Sequence, residues 1–484
     1  MKIPGKVWHT GRTSLQYAVL CLCISMLLPG CGPSGASARK LLQEPSVSVQ
    51  QSGKADVQAD TMEETAAYLQ GEDDAAASSG VFFEEPNRYA EEFHIYRRDD
   101  GAGLREIHGE QYFLLLPDCG LSVKPAQQPP EKSAAAVQKR GNADAQADTA
   151  GEDISGIVIE TSEGKQQVPD PGHVIVLRTP VRNAYLAATA SMAFLLRLQA
   201  LDSFRFVSLL QKNWYLPAAA EAMRDGKLLY AGKYSAPDYE ALLSGGCGLA
   251  AESTMILHKP EVREKLEALG IPVLIDYASY EPHAMGRAEW IRVYGLLTGT
   301  EERAEAFLAE TEAKLAALRE QAGSPAAGEQ PSVAYGYFNE KGQAVIRSAG
   351  DYIPELIRLG GCRYAFSGEQ WQRERAGFAI SMEAFLETAG DADILILTET
   401  IRSAPASTAE LCRDYPLLRS IPAVEQGRVY VTGNDFYQAT DGMADFAGDI
   451  FRMRNGAEEG FRFLRKLPME AMPAEEAPAG RDAG

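Results

Sequence analysis

The chain has 484 residues, 45% of them hydrophobic, with 47 Lys and Arg against 67 Asp and Glu for a formal charge of -20. This length allows two or three domains and a sizeable core in at least one of them. The acid excess argues against nucleic acid or an anionic lipid surface as an electrostatic partner, since neither is attracted to a net negative protein.

Residues 1–30 hold Lys2, Lys6 and Arg12 and no acid, and an apolar run extends from Leu15 to Leu28. A basic start followed by a short apolar run is the pattern of an export signal, and the run is too short to span a membrane and remain there. Its removal leaves a chain of about -23. The run ends in Leu28-Pro29-Gly30-Cys31, which resembles a bacterial lipobox. That resemblance implies cleavage before Cys31, a diacylglyceryl group on its sulfur and retention at the outer face of the cell membrane. Pro29 stands where Ala or Ser is usual. The alternative is plain secretion, and both readings export the protein. Beyond the signal lie Cys119, Cys247, Cys362 and Cys412, too far apart for a CxxC metal or redox motif, and free buried thiols are expected.

Residues 31–80 are rich in Ser, Ala, Gln, Gly and acids with little periodicity, and are expected to form a disordered tether. Within 81–121, Phe93-His94-Ile95-Tyr96 and the run Gln111 to Leu116 flank the turn-forming Asp99-Asp100-Gly101-Ala102-Gly103, which predicts a β-hairpin. Such an extension could cover an edge strand of the following domain. Residues 122–171, with Pro129-Pro130 and an Ala run, read as a linker.

Strands and helices then alternate, the pattern of a largely parallel sheet. In a first α/β lobe over 172–286, strands are predicted at 174–177, 204–207, 249–251 and 272–275, and helices at 184–199, 217–225, 237–243 and 260–269. A single long helix is predicted across 287–323, interrupted only at Thr298-Gly299-Thr300. The second α/β lobe, 324–458, carries predicted strands at 332–335, 344–346, 394–397 and 429–431, with helices at 352–359, 382–388 and 442–454. Residues 459–484 read as a C-terminal end and frayed tail.

Three phrases carry a resemblance to a known family. They are Gly232-Lys-Tyr-Ser-Ala-Pro-Asp-Tyr-Glu-Ala-Leu-Leu243, Pro260-Glu-Val-Arg-Glu-Lys-Leu-Glu-Ala-Leu-Gly-Ile-Pro-Val273 and Gly286-Arg-Ala-Glu-Trp-Ile-Arg-Val-Tyr-Gly295. With the order of elements from 172 to 456, they resemble the iron-siderophore and cobalamin class (type III) of periplasmic binding proteins. The resemblance implies two lobes joined by one helix, a ligand cleft between them, and a substrate-binding lipoprotein that serves an ABC importer. It also implies one exposed Glu on each lobe for docking to permease arginines. The matching positions are Glu240 and Glu383, each in the first turn of a predicted helix, where a carboxylate also complements the helix dipole.

Ligand groups are expected where loops leave the carboxyl ends of the strands. In the first lobe this selects Trp214, Tyr234, Ser253, Tyr280, His283 and Arg287; in the second, Arg347, Tyr352, Tyr437 and Gln438. Arg287 and Arg347 suit an anionic chelate, and the Tyr and Trp rings suit its aromatic parts. A bare zinc or manganese site takes about three His and a carboxylate converging on the ion, and the main domain holds no histidine beyond His173, His258 and His283, so the expected ligand is an iron-siderophore or related iron chelate. The partners expected are the permease subunits, that small iron complex and, through the lipid, the membrane. No metal ligand set, resident cofactor or nucleic-acid partner is expected, and the chain reads as a monomer. No G-x-S-x-G, H-E-x-x-H or Walker pattern is present, so the chain reads as no enzyme, although Ser253, His283 and Asp351 supply hydrolase-type residues. The alternatives are a haem- or cobalamin-binding receptor of the same fold, or a sensor or adhesin that has left transport.

Overall fold

A computed structural model describes residues 81–98, 102–117, 158–161, 164–167, 174–323, 330–373, 377–399 and 404–470. The expected signal, tether and most of the linker, with Cys31 and Cys119, lie outside the described residues. The fold is α/β, with a first lobe built on a parallel sheet, a second on a mixed sheet, and an additional N-terminal sheet.

The N-terminal sheet contains β1 (Val81–Glu85), β2 (Phe93–Arg97), β3 (Gly103–Ile107), β4 (Gln111–Pro117), β5 (Val158–Thr161), β6 (Gly164–Gln167) and β7 (Val174–Thr179), in the order β6-β5-β1-β2-β3-β4-β7. The expected hairpin is the centre of this sheet. Phe93–Arg97 and Gln111–Pro117 do not pair with each other; both pair antiparallel with β3, for which Gly103 at the end of the predicted turn was no strand signal. The strand predicted at 174–177 belongs here too. It runs parallel to β4, with Leu115 opposite Leu177, rather than opening the first lobe's sheet. Its apolar pattern fixed it as a strand, but pattern carries no information on the partner.

The first lobe comprises β8 (Ala184–Leu186), α1 (Met192–Arg197), β9 (Phe204–Val207), α2 (Pro217–Arg224), β10 (Leu229–Tyr230), β11 (Gly232–Lys233), β12 (Ala236–Pro237), α3 (Tyr239–Ser244), β13 (Ala250–Ser253), α4 (Pro260–Ala268) and β14 (Val273–Asp276). Five strands form a wholly parallel sheet in the order β10-β9-β8-β13-β14. The helix predicted over 184–199 is a strand followed by a short helix. Ala184, Tyr185 and Leu186 are fully buried as a central strand, where parallel pairing on both sides outweighs local propensity.

The predicted single helix is three segments, α5 (Ala284–Glu289), α6 (Ile291–Thr298) and α7 (Glu301–Ala322). Gly299 closes α6 at φ 64°, a left-handed conformation that glycine adopts without a Cβ penalty. The second lobe contains β15 (Ser332–Phe338), β16 (Ala344–Arg347), α8 (Tyr352–Leu359), β17 (Arg363–Tyr364), β18 (Gly377–Ile380), α9 (Met382–Ala389), β19 (Ile394–Thr398), α10 (Thr408–Asp414), α11 (Pro422–Glu425), β20 (Val429–Thr432), α12 (Met443–Arg454) and β21 (Leu464–Lys466). Its sheet runs β18-β16-β15-β19-β20-β21, with β17 also on β15. Part of the predicted tail is thus an antiparallel edge strand against β20.

The N-terminal sheet is fastened to the first lobe by polar groups as well as by apolar packing. The Gln111 side chain donates from Nε2 to Val273 O at 2.8 Å and accepts at Oε1 from Ile275 N at 3.0 Å, which pairs the outer edge of β14. Five successive backbone N–H groups, Arg88 to Glu92, donate to two buried carboxylates, those of Glu289 and Glu281. Trp290 donates to Glu281 as well and meets Phe93 edge-on at 5.2 Å. Gly286 is required at this seam, because a Cβ there would sit 2.8 Å from Glu281 Oε2 and 3.1 Å from Tyr89 O.

Candidate functional site

The carboxyl ends of the first lobe's strands face the second lobe. Beyond β8, Ala190 O accepts from Thr440 Oγ1 at 3.1 Å. Beyond β9, the Gln438 amide donates to Asn213 O at 2.9 Å and accepts from Tyr215 N at 2.8 Å, bracketing Trp214. Beyond β14, Glu355 on α8 accepts from Ala284 N at 2.8 Å and faces His283 Nδ1 at 3.6 Å.

Between these contacts the two lobes bring cations and rings together. The Asp351 side chain caps α8 by accepting from Ile353 N, and so orients Tyr352 in its first turn. The Arg287 guanidinium carbon lies 4.2 Å from the Tyr352 ring centre, and that of Arg347 lies 5.5 Å from it. Arg347 is fixed by a bidentate pair with Asp351, at 2.9 and 2.6 Å. Tyr437 accepts from Thr398 Oγ1 at 3.2 Å. Burial raises the hydroxyl pKa of both Tyr335 and Tyr352, so both remain neutral donors.

Among the described residues, two buried donors at this junction have no hydrogen-bond partner, Trp214 Nε1 and Arg287 Nε, while the Tyr335 hydroxyl meets that of Tyr437. Among the described residues, Arg287 donates from Nη1 to Ala278 O at 3.1 Å. Buried donors are nearly always satisfied in native proteins, so an orphaned set between two lobes suits a bound molecule that carries acceptors.

Of the residues selected from sequence, Trp214, Arg287, Arg347, Tyr352, Tyr437 and Gln438 meet at this junction. His283 lies beside it with an exposed ring, and Tyr280 stands exposed on the rim. Tyr234 packs half-buried in the turn between β11 and β12, and Ser253 stands at the carboxyl end of β13. Tyr335, Thr398 and Glu355 escaped sequence reasoning. The only signal for Tyr335 was a phenol inside the apolar run of β15.

Glu240 and Glu383 are exposed, each in the first turn of its helix, behind the capping side chains of Asp238 and Ser381. Glu383 is held below the ordinary carboxylate value by hydrogen bonds from its own N–H and from Ser381. Among the described residues no group of three or more His, Cys, Asp or Glu is placed to hold a metal ion, and no helix is long and apolar enough to cross a membrane. Cys247, Cys362 and Cys412 are free and buried.

Residues 249–436 match the family model for periplasmic binding proteins. An uncharacterized lipoprotein of Methanocaldococcus jannaschii is 24% identical over 236 residues, 47% of this chain and 52% of the relative. The chain thus spans about half the length of the curated relative it matches. Solved structures that overlap it include a periplasmic binding protein of Veillonella parvula (17% identity, 57% of this chain and 90% of the other, TM-score 0.45). The periplasmic haem-binding protein HutB of Vibrio cholerae overlaps similarly (18%, 57% and 99%, TM-score 0.45), as does a protein of an ABC-type Fe3+-hydroxamate transport system from Saccharomonospora viridis (18%, 57% and 94%, TM-score 0.42).

Proposed function

We propose that this chain, whose residues 249–436 match the family model for periplasmic binding proteins, is the solute receptor of an ABC importer and holds an iron chelate between its two lobes. The observation that carries the reading is the pair of donors without partners among the described residues, Trp214 Nε1 and Arg287 Nε, beside the Arg347 guanidinium and the Tyr352 ring. A chelate with anionic oxygen donors and aromatic or conjugated groups would satisfy both kinds of partner. No covalent step is required; the function is capture and hand-over.

In this reading Cys31 carries the lipid that keeps the receptor at the outer face of the membrane. Glu240 and Glu383 set its register on the permease by pairing with arginines there. Replacing both with Ala is expected to leave ligand affinity within about two-fold and to abolish uptake by cells. Full uptake by that variant would remove the docking role.

The direct test is a titration of intrinsic Trp and Tyr fluorescence with haemin, cobalamin, a ferric tris-catecholate and a ferric tris-hydroxamate, beside bare ferric, zinc and manganese ions. Saturable quenching by one of the complexes, lost on Arg287→Ala, is the expected result. Quenching by a bare ion alone, or by nothing, would sink the chelate assignment.

A further inference from the structure

We propose that the N-terminal sheet supplies part of the ligand-binding rim, where His108, backed by Tyr277 and set at a right angle to Tyr280, forms an aromatic corner that stacks on a planar π-bearing face of the ligand. This rests on the receptor reading above and names the ligand class more narrowly.

The corner is built from two separate parts of the chain. His108 sits in the turn between β3 and β4, closed by Glu110 N donating to Ile107 O at 3.0 Å. Tyr277 follows β14 directly, at the carboxyl end of the first lobe's parallel sheet, and Tyr280 N returns to Tyr277 O at 2.8 Å. The same loop continues through His283 and Ala284, which touch Glu355 of the second lobe, three and four residues beyond Tyr280.

The imidazole lies 4.2 Å from the Tyr277 ring at an interplanar angle of 12°. Tyr277 is 2% exposed, so it covers one face of His108, whose side chain is nevertheless 37% exposed. Tyr280 stands 6.2 Å away at 85° to the imidazole and is itself 47% exposed. Two perpendicular rings thus present exposed aromatic surface.

The imidazole is also held in place. Its Nδ1 pairs with the Glu92 carboxylate, and Glu92 is anchored through its backbone N–H to Glu281. His108 N donates to Glu92 O at 2.8 Å. His108 adopts φ 51°, followed by Gly109 at φ 65°. Positive φ at both of these positions is what this turn requires, and His is among the residues enriched in that region.

The carboxylates of Glu92 and Glu110 act on Tyr277 from the β2–β3–β4 side, opposed by Arg263 on α4. A planar π system that carries its negative charge elsewhere suits this corner, with its anionic groups directed to Arg287 and Arg347.

The test uses the full chain and measures dissociation constants for haemin, a ferric tris-catecholate and the non-aromatic cation ferrioxamine B. His108→Ala and Tyr280→Ala are each expected to weaken haemin or the catecholate roughly 3–10-fold, and His108→Phe to restore binding to within about two-fold, as stacking requires. Circular dichroism and melting temperatures check that the variants fold. Unchanged affinity in both Ala variants, or a His108→Phe variant as weak as His108→Ala, would overturn the stacking corner and leave the receptor standing. Binding of ferrioxamine B alone would overturn it too. Wild-type protein that binds none of the three, nor cobalamin, would sink the receptor reading itself, and the corner with it.

Discussion

The guanidinium of Arg287, on α5, lies over the ring of Tyr352, on α8, and so places a cation from one lobe on a buried ring of the other. Tyr352→Phe preserves that ring and is expected to change stability by no more than about 0.5 kcal/mol, whereas Tyr352→Leu removes the π face and is expected to cost about 2–3 kcal/mol. Urea denaturation separates the two; equal losses would assign the contribution to volume rather than to the cation–π contact.

Gln111 completes the edge of β14 by bonding both Val273 O and Ile275 N. Gln111→Ala leaves a buried carbonyl and a buried N–H without partners, and is expected to destabilise by about 1–3 kcal/mol. A guanidinium denaturation midpoint that does not move would mean that water enters and replaces the amide.

Glu289 accepts from the backbone of Arg88, Tyr89 and Ala90 at 2.8–3.2 Å and is fully buried. Glu289→Gln substitutes an NH2 group for one of the acceptors and removes the charge that strengthens these bonds, for an expected loss of about 2–4 kcal/mol. Amide hydrogen exchange should accelerate at residues 88–90 before it does in the second lobe. Uniform acceleration would contradict a local clamp.

Glu252 is fully buried, neither of its carboxylate oxygens has a partner, and burial raises its pKa to about 8. The native state therefore binds the proton more tightly than the unfolded chain, and this group makes stability fall as pH rises from the unfolded carboxylate value towards 8, with no further change above it. Glu252→Gln is expected to flatten that slope and to gain roughly 3–5 kcal/mol at pH 9 relative to wild type. Thermal melts between pH 5 and pH 9 provide the measurement; parallel pH profiles for the two proteins would show that Glu252 ionises without cost.

The parallel strands were the most legible part of the fold. Val273 to Ile275 and Ile394 to Leu397 are short continuous apolar runs, and each is a strand buried on both faces. The helices predicted at 352–359 and 382–388 were equally plain; they are α8 and α9, which the side chains of Asp351 and Ser381 cap. Ala184 to Leu186 were read as helix because alanine and leucine favour it locally; pairing with β9 and β13 decided otherwise.

What the sequence determined by itself was local: which segments are apolar with a period of two or four, where a cap or a glycine ends a helix, and which arginines and aromatic residues follow strand ends. Those choices depend on neighbours within about one turn of the chain. Tertiary structure alone decided that Val174–Thr179 pairs with β4, that a glutamine at 111 closes the edge of β14, that five N–H groups from 88 to 92 bind two carboxylates, and that His108 rests on Tyr277. Each of these is a contact across more than 60 residues, or a choice among several equally good partners. Only the packing of the sheets against one another removes the alternatives.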